Sequence, residues 1–510
     1  MTLSPRRIPN RKLVVTAILL GMFMAAMEAT VVATAMPTVI ADLSGLELYG
    51  WVGSIYMLAT TVTIPLWGKL SDLRGRKQVM LIGLSVFLLG SVASGMAPTM
   101  TALIAFRAIQ GIGAGALQPI AMTIIGDIFT VEERARMQGI FGAVWGIAAI
   151  CGPLLGGLIV KALSWRFVFY VNVPFGLLSA TLLIAFFNEK VERAGDPITF
   201  DVRGAVLLVV TILSVLGAGS GRRGALFLVP LALVAGAMFI AVEKRAKEPI
   251  LPLHLFEKKV ISVSSAVSAL VGAAMMGSLM YIPLFVQAVR GGSPTDGGTS
   301  VAPMLVGWPL ASAASARLLV KLGFRPLVRA GLVGLSIATA GLALAVRADM
   351  SLHVLRVAMF CMGAGMGLVT TAMIIAVQDA VDWQERGVAT SSSMFFRTIG
   401  GAILVGVLGG LLAGSLGGVV PESDLAKMLG PGRALGIPKD KLTSYAGALG
   451  DAMSPLFLVI SACTLVALAI GFAFPAVHVK RRARAEGGAA PLPPQEFDGR
   501  AMLERAPSGD

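Results

Sequence analysis

Charge is scarce in this chain: Asp, Glu, Lys and Arg make up 14% of its 510 residues, while apolar residues make up 56%. With a mean hydropathy of +0.82, there is too little polar surface to cover a water-soluble domain of this length. That excludes a globular enzyme and leaves a polytopic membrane protein. Cysteine is scarce as well. Cys151, Cys361 and Cys463 all fall inside apolar stretches, which excludes a disulfide framework and a cysteine metal site and leaves them as small packing residues. The three histidines, His254, His353 and His478, are scattered near the ends of apolar runs, and no H-E-x-x-H, G-x-S-x-G or Walker lysine loop occurs. No catalytic residue, metal or organic cofactor is therefore expected, and ATP-driven transport is disfavoured. The formal charge of +14 does not imply nucleic acid, because the bases sit beside apolar segments without stacking aromatics between them.

What the chain does have is apolar runs of about 20 residues, the length that crosses a bilayer. Six lie at 13–40, 49–67, 79–97, 103–128, 139–160 and 167–187; two at 205–218 and 225–242; and six more at 260–289, 300–320, 327–346, 352–377, 388–416 and 453–476. The first is too long for a signal peptide core of about 7 to 15 residues, so it reads as a retained span. An even number of spans puts both termini on one side, and bases in alternate loops place that side in the cytoplasm. Lys69, Arg74, Arg76 and Lys77 mark the first such loop, and Lys480, Arg481, Arg482 and Arg484 the tail. Arg222 and Arg223, and the acidic stretch 379–385, run against the pattern. A twelve-span alternative treats 205–242 as one re-entrant or peripheral element. The expected organisation is a cytoplasmic segment 1–12, a first bundle 13–190, two linker helices within 191–247, a second bundle 248–478 and a disordered tail 479–510. A polar loop at 417–450 is expected to carry a short helix at 422–428.

Several polar groups stand out inside or between these runs. LWGKLSDLRGRK at 66–77 is a compact cluster of one acid, four bases and two glycines between spans. Glu28 lies deep in the first span, where a charge costs about 2.5 to 3.5 kcal/mol on insertion scales. A carboxyl there can load and release a proton or attract a cation; the plain alternative is an acid permanently paired with Arg107 or a backbone donor. Arg107 and Gln110 lie in the fourth span among Gly111, Gly113 and Gly115, small residues that let helices approach. Gly152, Pro153, Gly156 and Gly157 group in the fifth, where proline kinks a helix and glycines smooth its face. ARLLVKLGFR at 316–325 repeats the 66–77 cluster weakly, with Val320 where the acid stood, and such repeats are typical of transporters.

Taken in order, these runs resemble the major facilitator superfamily, and within it the fourteen-span drug:proton antiporters. Gly68, Leu70, Asp72, Gly75, Arg76 and Lys77 match the loop pattern G-x-L-x-D-r-x-G-r-k, with Leu73 replacing the usual arginine. Glu28, Thr30, Val32, Ala35 and Pro37 follow D-x-T-I-V-N-V-A-L-P, with Glu for Asp and Ala33 for Asn. Arg107 and Gln110 fit R-x-x-q-G, the residues at 152–157 fit the antiporter signature G-P-x-x-G-G, WRFVFYVNVPFG at 165–176 fits the opening of the sixth span, and Arg397 closes the thirteenth-span pattern. The resemblance implies an all-α major facilitator fold, two six-helix bundles plus two linker transmembrane helices, about fourteen spans. It implies a proton-coupled antiporter of the multidrug efflux and antibiotic-resistance type, a monomer in a prokaryotic inner membrane. Its partners would be membrane lipids and small lipophilic, often cationic, substrates. Glu28 and Arg107 would couple protons to substrate, the loop around Asp72 would act as a conformational switch, and Thr30, Gln110, Asn172 and Arg397 would supply polar groups to the cavity. Arg397 reads as a helix-positioning residue rather than a ligand. Export of an endogenous lipid, siderophore or antibiotic is the alternative, and a transport-dead sensor a more distant one.

Overall fold

A computed structural model describes residues 10–43, 48–189, 201–218, 227–246, 248–348, 350–416 and 438–476. Helices occupy every apolar run: α1 Arg11–Leu43, α2 Tyr49–Arg74, α3 Arg76–Gly95, α4 Met100–Ile128, α5 Val131–Ala162, α6 Phe167–Tyr170 and α7 Asn172–Phe186. Then come α8 Val202–Ala218 and α9 Leu228–Glu243, followed by α10 Lys259–Leu284, α11 Pro294–Leu322, α12 Phe324–Arg347, α13 Leu352–Asp379, α14 Arg386–Leu416 and α15 Lys439–Phe472. No strand occurs among the described residues, as a bilayer solvent requires of an open chain that must satisfy its backbone within each span. Nine of the described helical segments are long and apolar enough to cross a membrane, and the protein is an all-α polytopic membrane protein. The expected short helix at 422–428, the middle-loop bases Arg222 and Arg223 and the tail from 479 lie outside the described residues. The loop before the last span is shorter than expected, because α15 begins at Lys439, behind Pro438, well ahead of the apolar run at 453.

Local chemistry sets the ends of these helices. Thr130 and Glu133 form a reciprocal capping box at the start of α5, and Ser293 and Asp296 form another at α11, satisfying first-turn N–H groups. The sixth span is broken at Val171. Pro174 has no N–H to give the Tyr170 carbonyl, so the ladder lapses there and Asn172 opens a new helix with its side chain fully buried.

Helix packing repeats between the two halves of the chain. In the first half α1 packs on α5 and α7, and α4 on α2 and α3; in the second, α10 packs on α14 and α15, and α13 on α11 and α12. Across the halves α2 meets α14 and α5 meets α11, again a matched pair. The turns repeat too, since Gly75 between α2 and α3 has φ 93° and Gly323 between α11 and α12 has φ 79°, a region that L side chains rarely adopt. Helices α8 and α9 pack on each other, and α8 also touches both α2 and α14 at the seam.

Candidate functional site: a buried ion pair and a polar latch

Five helices deliver polar groups to one point inside the first half. Glu28 of α1 and Arg107 of α4 are buried to within 1% and 2% of full and form an ion pair through Oε1 and Nη1. The other carboxylate oxygen accepts from Asn172 Nδ2 of α7 at 2.5 Å, so both are occupied. Asn172 Nδ2 also lies 3.0 Å from Ser91 Oγ of α3, which donates to the Phe169 carbonyl at 2.8 Å. Arg107 is held further by Gln110 Oε1 at 2.7 Å and the Val52 carbonyl at 3.3 Å, and its guanidinium lies 4.2 Å from the Tyr56 ring centre. Such a cluster is tolerable in a low-dielectric interior because each charge has a partner, although Gln110 Nε2 and Asn172 Oδ1 are buried without a hydrogen bond. Removing the charge of Glu28 leaves Arg107 buried without its counter-ion, and that is the lever a proton could pull.

The fifth-span glycines belong to the wall of this cluster. A Cβ on Gly152 would lie 2.0 Å from Thr30 Oγ1, and one on Gly156 2.1 Å from Thr34 Oγ1. Only hydrogen at both positions lets α5 lie against α1, two and six residues beyond Glu28. Gly157 faces open space, and the Pro153 side chain lies outside what is described. Thr30 donates to Met27 and Ala148 carbonyls at 2.9 and 3.1 Å, so it ties α1 to α5.

A second polar constellation joins the halves at the end carrying the 66–77 cluster. Asp72 accepts from the backbone N–H groups of Gly387 and Val388 at 2.9 and 2.7 Å, which are first-turn donors of α14. A carboxylate of one half thus caps a helix of the other. Asp72 lies past the end of the apolar stretch; burial pushes its carboxyl up to about 7, against the pull of Arg76 and the two N–H donors. Arg76, fully buried, pairs with Asp72 at 2.8 Å and Asp127 at 3.1 Å, donates to the Trp383 carbonyl at 2.5 Å and lies 3.8 Å from that indole's ring centre. Arg386 returns the contact to Asp127 at 2.6 Å, and Arg134 pairs with Asp379 at 2.8 Å. A Cβ on Gly68 would come within 1.9 Å of Ser391 Oγ, so the close crossing of α2 and α14 depends on that glycine. Lys77 stays within its own half, its backbone N donating to Glu189 at 2.8 Å and its Nζ to the Ile184 carbonyl at 2.8 Å.

The structure therefore unites Glu28, Arg107, Gln110 and Asn172, gathers Gly68, Asp72, Gly75 and Arg76 into a separate latch, and leaves Arg397 alone on α14 in the second half. Residues that sequence reasoning missed are Tyr56 and Ser91 at the ion pair, and Asp127, Arg134, Gln378, Trp383 and Arg386 at the latch. The acidic stretch at 379–385, out of place by loop charge alone, is explained here, because Asp379 and the Trp383 carbonyl answer bases of the first half.

Comparison with known proteins follows the same lines. Residues 18–405 match the family model described as Major Facilitator Superfamily. The chain is 37% identical over 423 residues to "Multidrug transporter protein MdtP" of Bacillus subtilis (strain 168), covering 81% of this chain and 77% of the relative. It is 38% identical over 408 residues to "Multidrug resistance protein 3" of the same organism, covering 78% and 79%. Among solved structures it is similar to a bacterial homologue of the iron transporter ferroportin in an outward-facing state, with TM-score 0.61, 13% identity, and 90% and 99% of the two chains covered, a likeness of fold.

Proposed function

The chain belongs to the major facilitator superfamily, and from that premise we propose that it is a proton-coupled antiporter that exports lipophilic compounds. The observation that carries the reading is the Glu28–Arg107 pair, a titratable acid and its counter-ion sealed where five helices meet. A proton arriving on Glu28 cancels its hold on Arg107 and on Asn172. The helices that carry those groups, α1, α4 and α7, then settle into a different packing, and substrate binding in that packing is what the departing proton exchanges for. Both carboxylate oxygens are occupied here, which favours a proton-coupling role for Glu28 over direct attraction of a cationic substrate.

The basic loops favour cytoplasmic termini, and on this reading, in a prokaryotic inner membrane, the latch closes the cytoplasmic ends of the two bundles. The described state is then closed to the cytoplasm. Each charge that crosses contributes about 2.3 kcal/mol per 100 mV, ample to drive the cycle. The names of the two Bacillus relatives support drugs as substrates and multidrug efflux as the physiological outcome. We take the working unit to be one chain, with protons as its coupling species and no organic cofactor.

Energised inverted vesicles carrying the protein, with rhodamine 6G added outside, test this when a pH probe reports proton movement. Wild type is expected to move dye against counter-flowing protons, and Glu28→Gln to bind dye without coupling. Dye transport that is unchanged in Glu28→Gln would refute the role of the pair. A proton response to cell lipid extract but not to dye would instead favour an exporter of endogenous lipid or natural product.

A further inference from the structure

Every buried arginine described so far has an acid beside it: Arg107 has Glu28, Arg76 has Asp72 and Asp127, Arg386 has Asp127 and Arg134 has Asp379. Arg397 differs. Among the described residues its guanidinium makes no ion pair and no hydrogen bond, and its neighbour is the Trp308 ring of α11, centred 5.9 Å away. It lies about 17 Å along α14 from Arg386, the helix's first residue, and about 28 Å from Leu416, its last, too deep for the head to reach either interface. A charge at such depth is costly, faces a cavity or a partner, and marks a functional site by default.

The surroundings are shaped to present this cation. A Cβ on Gly272 of α10 would lie 1.9 Å from the Arg397 carbonyl oxygen and 2.8 Å from its Cγ, so only glycine there admits the arginine stem. Unlike Arg107, Arg397 is only part-buried. Of the described acids of the second half, Glu248, Glu257, Asp296, Asp379, Asp382, Glu385 and Asp440 lie at or beyond helix ends or in a first turn, and Asp451 lies about 18 Å along α15; none is paired with Arg397. One positive charge with no acid beside it, next to an indole, is the complement of an oxyanion on a lipophilic body.

Building on the transport reading above, we propose that Arg397, with Trp308 beside it, binds the anionic group of an amphipathic substrate, so that the class this protein carries includes amphipathic oxyanions. The oxyanion is either that of a free organic acid or that of a lipid headgroup.

The test is equilibrium binding of 11-(dansylamino)undecanoic acid and of its methyl ester to the full chain in phosphatidylcholine nanodiscs. Arg397→Gln is expected to weaken the acid about tenfold, the equivalent of one charge-assisted hydrogen bond, and to leave the ester unchanged. Arg397→Lys retains part of the preference, and intact ester binding shows that the variants are folded. Competition of the acid by added phosphatidylglycerol, lost in Arg397→Gln, assigns the anion to a lipid headgroup; binding of the acid unaffected by that lipid assigns it to a free acid. Acid and ester weakened alike, or neither weakened, would overturn the proposal. Binding at equilibrium needs no proton gradient, so a failure here is separate from a failure of Glu28 to couple protons.

Discussion

The two halves share their packing scheme and differ in what fills it. At the first turn the chain reads Asp72, Gly75, Arg76; at the matching turn of the second half it reads Val320, Gly323, Phe324. Both glycines take a positive φ, and Arg76 and Phe324 are both fully buried. The geometry is kept while the electrostatics is dropped. The same division holds deeper in. The first half gathers its charged cluster around Glu28 and Arg107, whereas the second ties helices with hydroxyls, Ser336 to the Thr464 carbonyl at 3.1 Å and Thr339 to Thr464 at 2.7 Å. Away from the latch, the duplicated frame thus holds a buried ion pair in one half and hydroxyl ties, with Arg397 as an isolated base, in the other. The lesson is that a shared helical framework does not require shared charge.

Making the first half resemble the second breaks that comparison, most severely at the ion pair. Glu28→Ala strands Arg107 and is expected to lower stability by about 3 to 5 kcal/mol in reversible unfolding. Glu28→Met combined with Arg107→Leu should recover most of that stability while proton-coupled efflux stays absent; recovery of transport would show that the pair is only structural. Next come positions where the halves agree. Gly152→Ala and Gly400→Ala each force a Cβ to within 2.0 and 2.1 Å of a neighbour, and each should cost about 1 to 3 kcal/mol. Gly157→Ala, which meets nothing, stays within about 0.5 kcal/mol; thermal scans in one detergent compare all three.

At the latch, Asp72→Val copies Val320 and removes the cap on α14, weakening the closed state by about 1 to 2 kcal/mol. Spin-label distances between the ends of α2 and α14 would report it as a larger open population. The smallest effect is the pH dependence of the same contact. The closed latch holds the Asp72 carboxyl up at about 7 by burial, while an opened latch returns it toward the ordinary 3.8. Between those values the closed form binds more protons, so closure is favoured at low pH and its advantage is lost as pH rises through 7. The same distances should shift toward open between pH 6 and 8 in wild type and stay constant in Asp72→Asn.

Much of this was legible in the chain because a bilayer penalises polar groups so heavily. Glu28, Arg107 and Asn172 announce themselves by interrupting apolar runs, and the position of each span follows from run length alone. Tyr56 and Ser91 give no such signal, since a tyrosine or serine in a span is ordinary until its neighbours are known. The latch partners were hidden by distance, since Asp72 and Gly387 are separated by 315 positions in the sequence. Loop charge also misled there: acids at 379–385 look misplaced when read against bilayer topology and fit once Arg76 and Arg134 face them. The resemblance gives Thr30 to the cavity, and the packed helices add a tie that spacing does not reveal, from its hydroxyl to the Ala148 carbonyl of α5. The resemblance at Arg397 ranked it as a positioning residue; its missing counter-ion is visible only once the helices are packed.

Infrared difference spectroscopy of the lipid-reconstituted chain during a pH titration tests the central claim most directly. The account predicts that wild type gains a protonated-carboxyl band as the pH falls, that Glu28→Gln lacks that band, and that Asp72→Asn retains it. A band set indistinguishable between wild type and Glu28→Gln would mean that Glu28 stays ionised throughout, and the pair would then be a fixed brace rather than the point where protons enter the cycle.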